Sequence, residues 1–180
     1  MRRATRADIP AIVSLTCECF GENYTFDEEM QGFIDDERNR VYVEYDDKGL
    51  CGAFMMLAED KDSISESMEV TSDDYDRLSR GKPCLHHKFC VVREDRRKDG
   101  LMTAMLQEAI PDLENEGIYG AIFAQTWILN NEIPMARVCD RIGYKQYKRQ
   151  FRPWYGITDR YCNICKGRCK CDAMVYYRQL

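Results

Sequence analysis

Residues 89–109 read FCVVREDRRKDGLMTAMLQEA, and the fold turns on them. An apolar run ends at Val92, a basic loop follows, and a helix opens near Gly100. The first turn of a helix carries N–H groups without intrahelical partners and the positive end of the helix dipole, which together suit a diphosphate. Arg96, Arg97 and Lys98 add positive charge at that end, and Gly100 lets the backbone approach a ligand closely. An ordinary basic loop between strand and helix has the same composition, so this stretch leaves both readings open.

Working outward, LHHKFCVV is the strand that feeds the loop. Leu101–Glu116 is helical, with Leu101, Met105, Ala109 and Leu113 on one side. AIFAQTWI reads as a buried strand, Ile133–Ile142 as a helix stopped by Gly143, and YKQYKRQF and DAMVYYRQL as two closing strands. Toward the amino terminus, MRRAT is a short strand and Thr5 with Asp8 a variant capping box. Ile9, Ile12, Val13, Thr16 and Phe20 then recur at helical spacing, and an acidic helix is expected over Phe26–Asp36. VYVEY and CGAFMML, joined by Asp46-Asp47-Lys48-Gly49, read as an antiparallel hairpin. The acidic stretch Glu59–Pro83 breaks the pattern, with one helix expected near Ser72–Arg80. The expected order is β-α-α-β-β-β-α-β-α-β-β, a single α/β domain spanning residues 1–180.

The 180 residues suffice for one mixed domain, and 44% hydrophobic against 32% charged residues is a globular balance. A formal net charge of −5 argues against a non-specific nucleic-acid or anionic-membrane binder. MRRATRADIP has no apolar segment behind it and no run is long enough to span a bilayer, so a cytoplasmic location is the default expectation. The oligomeric state stays open, a homodimer included.

Arg97-Lys98-Asp99-Gly100-Leu101-Met102, taken with MRRATRADIPAIVSL, GAFMML, RIGYK and the last strand in that order, resembles the GNAT family of N-acetyltransferases. The family's phosphate loop is Gln or Arg, two residues, Gly, one residue, then Gly or Ala. Arg97 and Gly100 match, while Met102 stands where a small residue is usual. The resemblance implies a mixed, mostly antiparallel sheet flanked by helices, with two neighbouring parallel strands splayed to admit acetyl-coenzyme A. It implies Cys90, Val91 and Val92 along the pantetheine arm, a main-chain N–H near Val92 on the acetyl carbonyl, and Arg97, Lys98, Asp99, Gly100, Leu101 and Met102 around the diphosphate. Asn130 or Asn131 corresponds to an Asn that contacts the cofactor arm, although a turn and helix cap is an equal reading of that pair. The implied reaction is direct acetyl transfer, in a ternary complex, to the amine of a small molecule or peptide.

Such a reaction needs a base, because an alkyl ammonium titrates near about 10.4 and only the free amine attacks. His86 and His87 are the only histidines and titrate in the useful range. Strand alternation turns one of them toward the cleft and the other away. Glu28, Glu29, Glu69 and Asp73 are acidic candidates that the sequence does not rank. The family's usual Tyr acid falls on Cys139, which either donates a proton as a thiol or simply faces the core of its helix. Tyr144 and Tyr147 are the other acids, Tyr144 being also a natural core position.

Ten cysteines is a high count. Cys17, Cys19, Cys51, Cys84, Cys90 and Cys139 are scattered, as small buried hydrophobes are. Cys162, Cys165, Cys169 and Cys171 crowd into CNICKGRCKC, within a Cys-rich loop at 161–172 between the last two strands. Four thiolates complete a tetrahedral Zn2+ shell, Gly167 allows the turn, and Lys166, Arg168 and Lys170 offset the charge. The paired-knuckle spacing is absent, and an iron–sulfur cluster, reactive thiols or merely reduced thiols are the other readings. The alternative to an enzyme is an acetyltransferase-like fold of weak catalysis that serves as a metal-binding or interaction module.

Overall fold

The computed structural model describes residues 1–180. The strands are β1 (Arg2–Arg3), β2 (Arg40–Asp46), β3 (Gly49–Glu59), β4 (Cys84–Val92), β5 (Ala121–Ile128), β6 (Lys145–Gln150) and β7 (Asp172–Gln179). They form one seven-stranded sheet in the order β1-β2-β3-β4-β5-β7-β6. Every neighbouring pair is antiparallel except β4 and β5, which run parallel. The helices are α1 (Ile9–Phe20), α2 (Asp27–Asp35), α3 (Lys61–Met68), α4 (Ser72–Ser79), α5 (Leu101–Glu116) and α6 (Ala136–Arg141). None is long and apolar enough to cross a membrane.

β3 reads GLCGAFMMLAE and is buried along nearly its whole length, as a central strand covered on both faces must be. On one face Ile9, Ile12 and Leu15 of α1 and Met30 of α2 pack on Val41, Val43, Ala53, Met55, Phe89 and Val91. Farther along that face, Ile64, Met68 and Leu78 of α3 and α4 cover Cys84, Ala121, Phe123 and Val175. On the other face α5 buries Met102, Met105, Leu106, Ala109, Ile110 and Leu113 against Phe54, Met56, Leu85, Ile122 and Tyr176. Leu106 and Leu113 are fully buried, which contributes roughly 1.5–3 kcal/mol each. α5 reaches the sheet closely because Gly52 lies beneath it: a Cβ there would come within 2.9 Å of the Met105 sulfur.

Two elements differ from expectation. The acidic stretch after β3 holds two helices rather than one. The Asp60 carboxylate caps α3 by accepting from the Ser63 N–H at 2.8 Å, and the Thr71 hydroxyl caps α4 by accepting from the Asp74 N–H at 3.2 Å. Their apolar residues are too few to show a period, yet they seal the sheet. The helix expected over Ile133–Ile142 begins only at Ala136, because Leu129 and Glu132 bridge each other and the chain then turns through Pro134 and Met135.

Candidate functional site

The parallel pairing of β4 with β5 runs from Cys84↔Ala121 to His87↔Ala124 and stops there. Beyond that point β4 keeps only β3, β5 keeps only β7, and the two strands part. The parting begins at a bulge: Met55 pairs with Phe89 and Met56 with His87, so Lys88 has no partner across the ladder. An apolar cleft runs through this gap from one face of the sheet to the other.

The ladder dictates which backbone groups the gap receives. The Arg93 N–H donates to the Cys51 carbonyl at 3.0 Å, which fixes the phase of the β3–β4 hydrogen bonds. Antiparallel alternation then points Val91 at β3 and turns the N–H groups of Cys90 and Val92 into the gap. The Val92 carbonyl already accepts a bond there, from Arg97 Nε at 3.0 Å.

At the end of β4 the loop rises into α5. Lys98 and Gly100 both adopt left-handed backbone, at φ 70° and 82°. The N–H groups of Lys98, Asp99, Gly100, Leu101, Met102 and Thr103 donate to no protein acceptor. Lys98, Asp99 and Gly100 are exposed, so the turn presents N–H groups without protein partners at a helix N-terminus. Met102 sends its side chain into the core under α5, so its bulk leaves the amide row open. Of the basic residues, Arg96 is committed to Asp46 at 2.7 Å together with Arg93, while Lys98 carries no ion pair. The space beside the Gly100 α-carbon is open, so its glycine serves φ rather than close packing. A Gly100→Val variant pays about 1–2 kcal/mol for left-handed backbone, and urea unfolding is expected to show a loss of stability of that size.

His86 and His87 were expected to divide, one facing the cleft and one turned away. Both border it, because the pairing ends just past them and the cleft meets both faces. On the face of α1–α4, His86 Nδ1 lies 3.0 Å from Glu59 Oε1. Burial lowers the His86 pKa, and the Glu59 hydrogen bond opposes that shift. On the face of α5 and α6, His87 Nδ1 lies 3.2 Å from the Tyr144 hydroxyl, and its buried Nε2 has no partner. Burial, then the neighbouring His86, brings His87 down to about 3. Tyr144 is pushed well above its ordinary value by burial.

Cys139 is buried at the same inner wall, its thiol pushed up to about 12 by burial and next by Asp140. Cys90, also raised to about 12 by burial, points its sulfur at Met135 Sδ, 3.7 Å away. Asn130 and Asn131 form the exposed turn after β5, at φ 51° and 63°, and do not line the cleft. Glu28 and Asp73 are exposed, Glu69 pairs with Lys148 at 2.5 Å, and Glu29 holds Arg160 at 3.5 Å beside the cleft. Tyr147 bonds Asp74 at 2.7 Å, away from the cleft. Sequence reasoning missed Tyr24, Trp127 and Arg160, which line the cleft, and Glu59, which meets it only through His86.

The opposite wall is aromatic. Trp127 stands edge-on to Phe20 at 5.2 Å and to Trp154 at 6.4 Å, and the Tyr24 hydroxyl donates to the Lys88 carbonyl at 3.4 Å. The Arg160 guanidinium lies 5.6 Å from the Tyr24 ring centre. Cys162 and Cys169 complete that wall, in a group whose four sulfurs all lie within 4.8 Å of one another.

Residues 9–144 match the Acetyltransferase (GNAT) family. The chain belongs to that family. The acetyltransferase fold is shared with a ribosomal-protein-alanine N-acetyltransferase from Brucella melitensis, at TM-score 0.68 and 14% identity over 99% of this chain and 98% of that one. Arabidopsis thaliana NAA60 in complex with a bisubstrate analogue superimposes at TM-score 0.70 and 14% identity, covering 99% of this chain and 95% of that chain. An N-acetyltransferase from Staphylococcus aureus gives 0.67 and 12%, covering 99% and 96%. No curated protein sequence matches the chain.

Proposed function

We propose that the protein transfers acetyl from acetyl-coenzyme A to the amine of a small molecule or peptide, by direct attack in a ternary complex. One observation carries the reading: open amides from Lys98 to Thr103 stand beside a gap between β4 and β5. The amide row binds the diphosphate, with Lys98 adding charge, and the pantetheine arm enters on the α5–α6 face, past Val92 and Cys90. Their N–H groups, pointing into the gap, hold the thioester carbonyl and the oxyanion it becomes. Because these donors are fixed by the β3–β4 ladder, they need no rearrangement during the reaction.

The amine enters from the aromatic face, where His86 waits. At neutral pH His86 is uncharged and able to accept a proton, and Glu59 orients its ring and stabilises the imidazolium. His86 takes a proton from the amine as its nitrogen bonds the acetyl carbon, and the carbon–sulfur bond then breaks. Tyr144, kept protonated by burial and positioned by His87, donates a hydrogen bond to the departing sulfur. Cys139 stays a neutral thiol in the wall, so the usual Tyr position contributes packing here. Trp127, Tyr24 and Trp154 offer ring faces and edges to an acceptor's apolar part or its cation.

Titration calorimetry with acetyl-coenzyme A, followed by an acetyl-transfer screen across small amines and peptide N-termini, tests the proposal. Binding with release of free coenzyme A thiol in the presence of one amine class is the expected result. Absence of binding at millimolar donor would refute it.

A further inference from the structure

Residues 151–171 join β6 to β7 without a helix or strand of their own. A connection of that length needs something other than backbone pairing to hold its shape. It contains Cys162, Cys165, Cys169 and Cys171, two buried and two half-buried, all free thiols. Every pair of their sulfurs lies within 4.8 Å, and Cys165 and Cys171 are 3.5 Å apart.

We infer that these four side chains bind one Zn2+ ion as thiolates, and that the ion pins the acceptor-side wall of the cleft. Zn–S bonds of about 2.3 Å at tetrahedral angles place sulfurs ~3.8 Å apart, and shifts of about 1 Å or less bring the group there. Two disulfides would need two separate sulfur pairs at about 2.0 Å, whereas here all four sulfurs share one centre. An iron–sulfur cube sets iron and sulfide between its thiolates and requires a wider spread.

The backbone supports the same reading. Cys162 and Gly167 close a tight bridge, with the Cys162 N–H donating to the Gly167 carbonyl at 2.8 Å and the Lys166 N–H to the Cys162 carbonyl at 2.9 Å. Lys166, at φ 55°, and Gly167, at φ 155°, turn the chain there. The Lys170 N–H donates to the Cys165 sulfur at 3.1 Å, which fixes that side chain's direction within the group. Four thiolates with one Zn2+ leave two negative charges, and the ammonium groups of Lys166 and Lys170 lie in the same loop.

The pinned loop is docked on the end of α1. The Asn163 N–H donates to the Phe20 carbonyl at 3.0 Å, Asn163 Nδ2 to the Glu18 carbonyl at 2.8 Å, and the Tyr161 N–H to the Glu22 carbonyl at 3.3 Å. Gly21 permits the contact, since a Cβ there would fall 1.7 Å from the Tyr161 carbonyl oxygen. Trp154, Arg160 and Tyr161 on this loop border the cleft together with Cys162 and Cys169. Metal occupancy therefore sets the shape of the aromatic wall. The metal site stands on its own geometry; calling that wall the acceptor side rests on the acetyl-transfer reading.

Elemental analysis of the purified full-length protein tests the site, with Co2+ exchanged for Zn2+ to give the absorption of a tetrahedral thiolate complex. One zinc per chain is expected, with affinity reduced at least about tenfold in Cys171→Ser and unchanged in the control Cys51→Ser. Zinc stripped from the wild type by chelator and then restored covers the case in which Cys171→Ser does not fold. The stripped protein is expected to show an acceptor KM raised about tenfold or more, with its Kd for acetyl-coenzyme A little changed. Metal-free protein whose melting temperature ignores chelators, a mass showing disulfides, or iron with sulfide would each overturn the zinc site. Zinc present with acceptor KM unmoved by its removal would overturn the role in the wall. Zinc present in a protein that binds no acetyl-coenzyme A would leave the site standing while refuting the acetyl-transfer proposal.

Discussion

Replacing His86 with Ala is expected to lower kcat by about 10²- to 10⁴-fold, the range for loss of a positioned general base, with acetyl-coenzyme A affinity preserved. The two effects separate because His86 lies on the face opposite α5, while the amide row lies at the α5 N-terminus. Glu59→Gln discriminates a base from a packed side chain. Glu59 raises the proton affinity of His86 against the lowering effect of burial. Removing the carboxylate's charge therefore moves the acid limb of the kcat/KM profile to lower pH. A purely structural His86 would give lower melting temperatures in both variants and leave that limb where it is. The measurement uses whichever amine the screen identifies, at saturating donor.

The second large effect is on stability in mild acid. The unfolded chain's histidines titrate near about 6.5, whereas burial holds His87 near 3 in the folded protein. The unfolded state thus takes up the proton first, so the stabilisation is complete above the unfolded pKa and drains away as pH falls toward the folded one. Between pH 6.5 and pH 5, a shift of that direction and size costs about 2 kcal/mol from His87 alone. His86, lowered by burial as well, acts with the same sign. Asp8, held below the usual carboxylate range by Arg2, and Asp46, by Arg93, contribute only at lower pH, where unfolded carboxylates protonate. The pH 5–6.5 window therefore isolates the histidines. Urea unfolding at both pH values, in wild type and His87→Phe, is expected to show the variant losing about 2 kcal/mol less. Equal losses would mean that His87 is not held neutral by the fold.

Both predictions concern side chains whose importance emerged at different depths. The histidines were visible as candidates because no others exist in the chain and both precede the basic loop. Their environments were not. Glu59 lies in β3 and Tyr144 just before β6, so each partner is far off in sequence and arrives through strand pairing. Alternation predicted that the two histidines would part company. They do stand on opposite faces, but β4–β5 pairing ends just past them and the cleft reaches both. The same non-locality hid α3, whose few apolar residues gain meaning only against Cys84, Ala121 and Phe123.

Local chemistry was readable without a fold. The strand–basic loop–helix passage through Gly100, the stripe that becomes the buried face of α5, and four cysteines within CNICKGRCKC are properties of neighbouring residues, and such patterns survive in any tertiary context. Tertiary structure alone decided at which residue β4 and β5 separate, and that the cysteine loop rests on the end of α1. Those outcomes depend on hydrogen-bond phase and on contacts between segments far apart in the chain, and no spacing along the sequence encodes them.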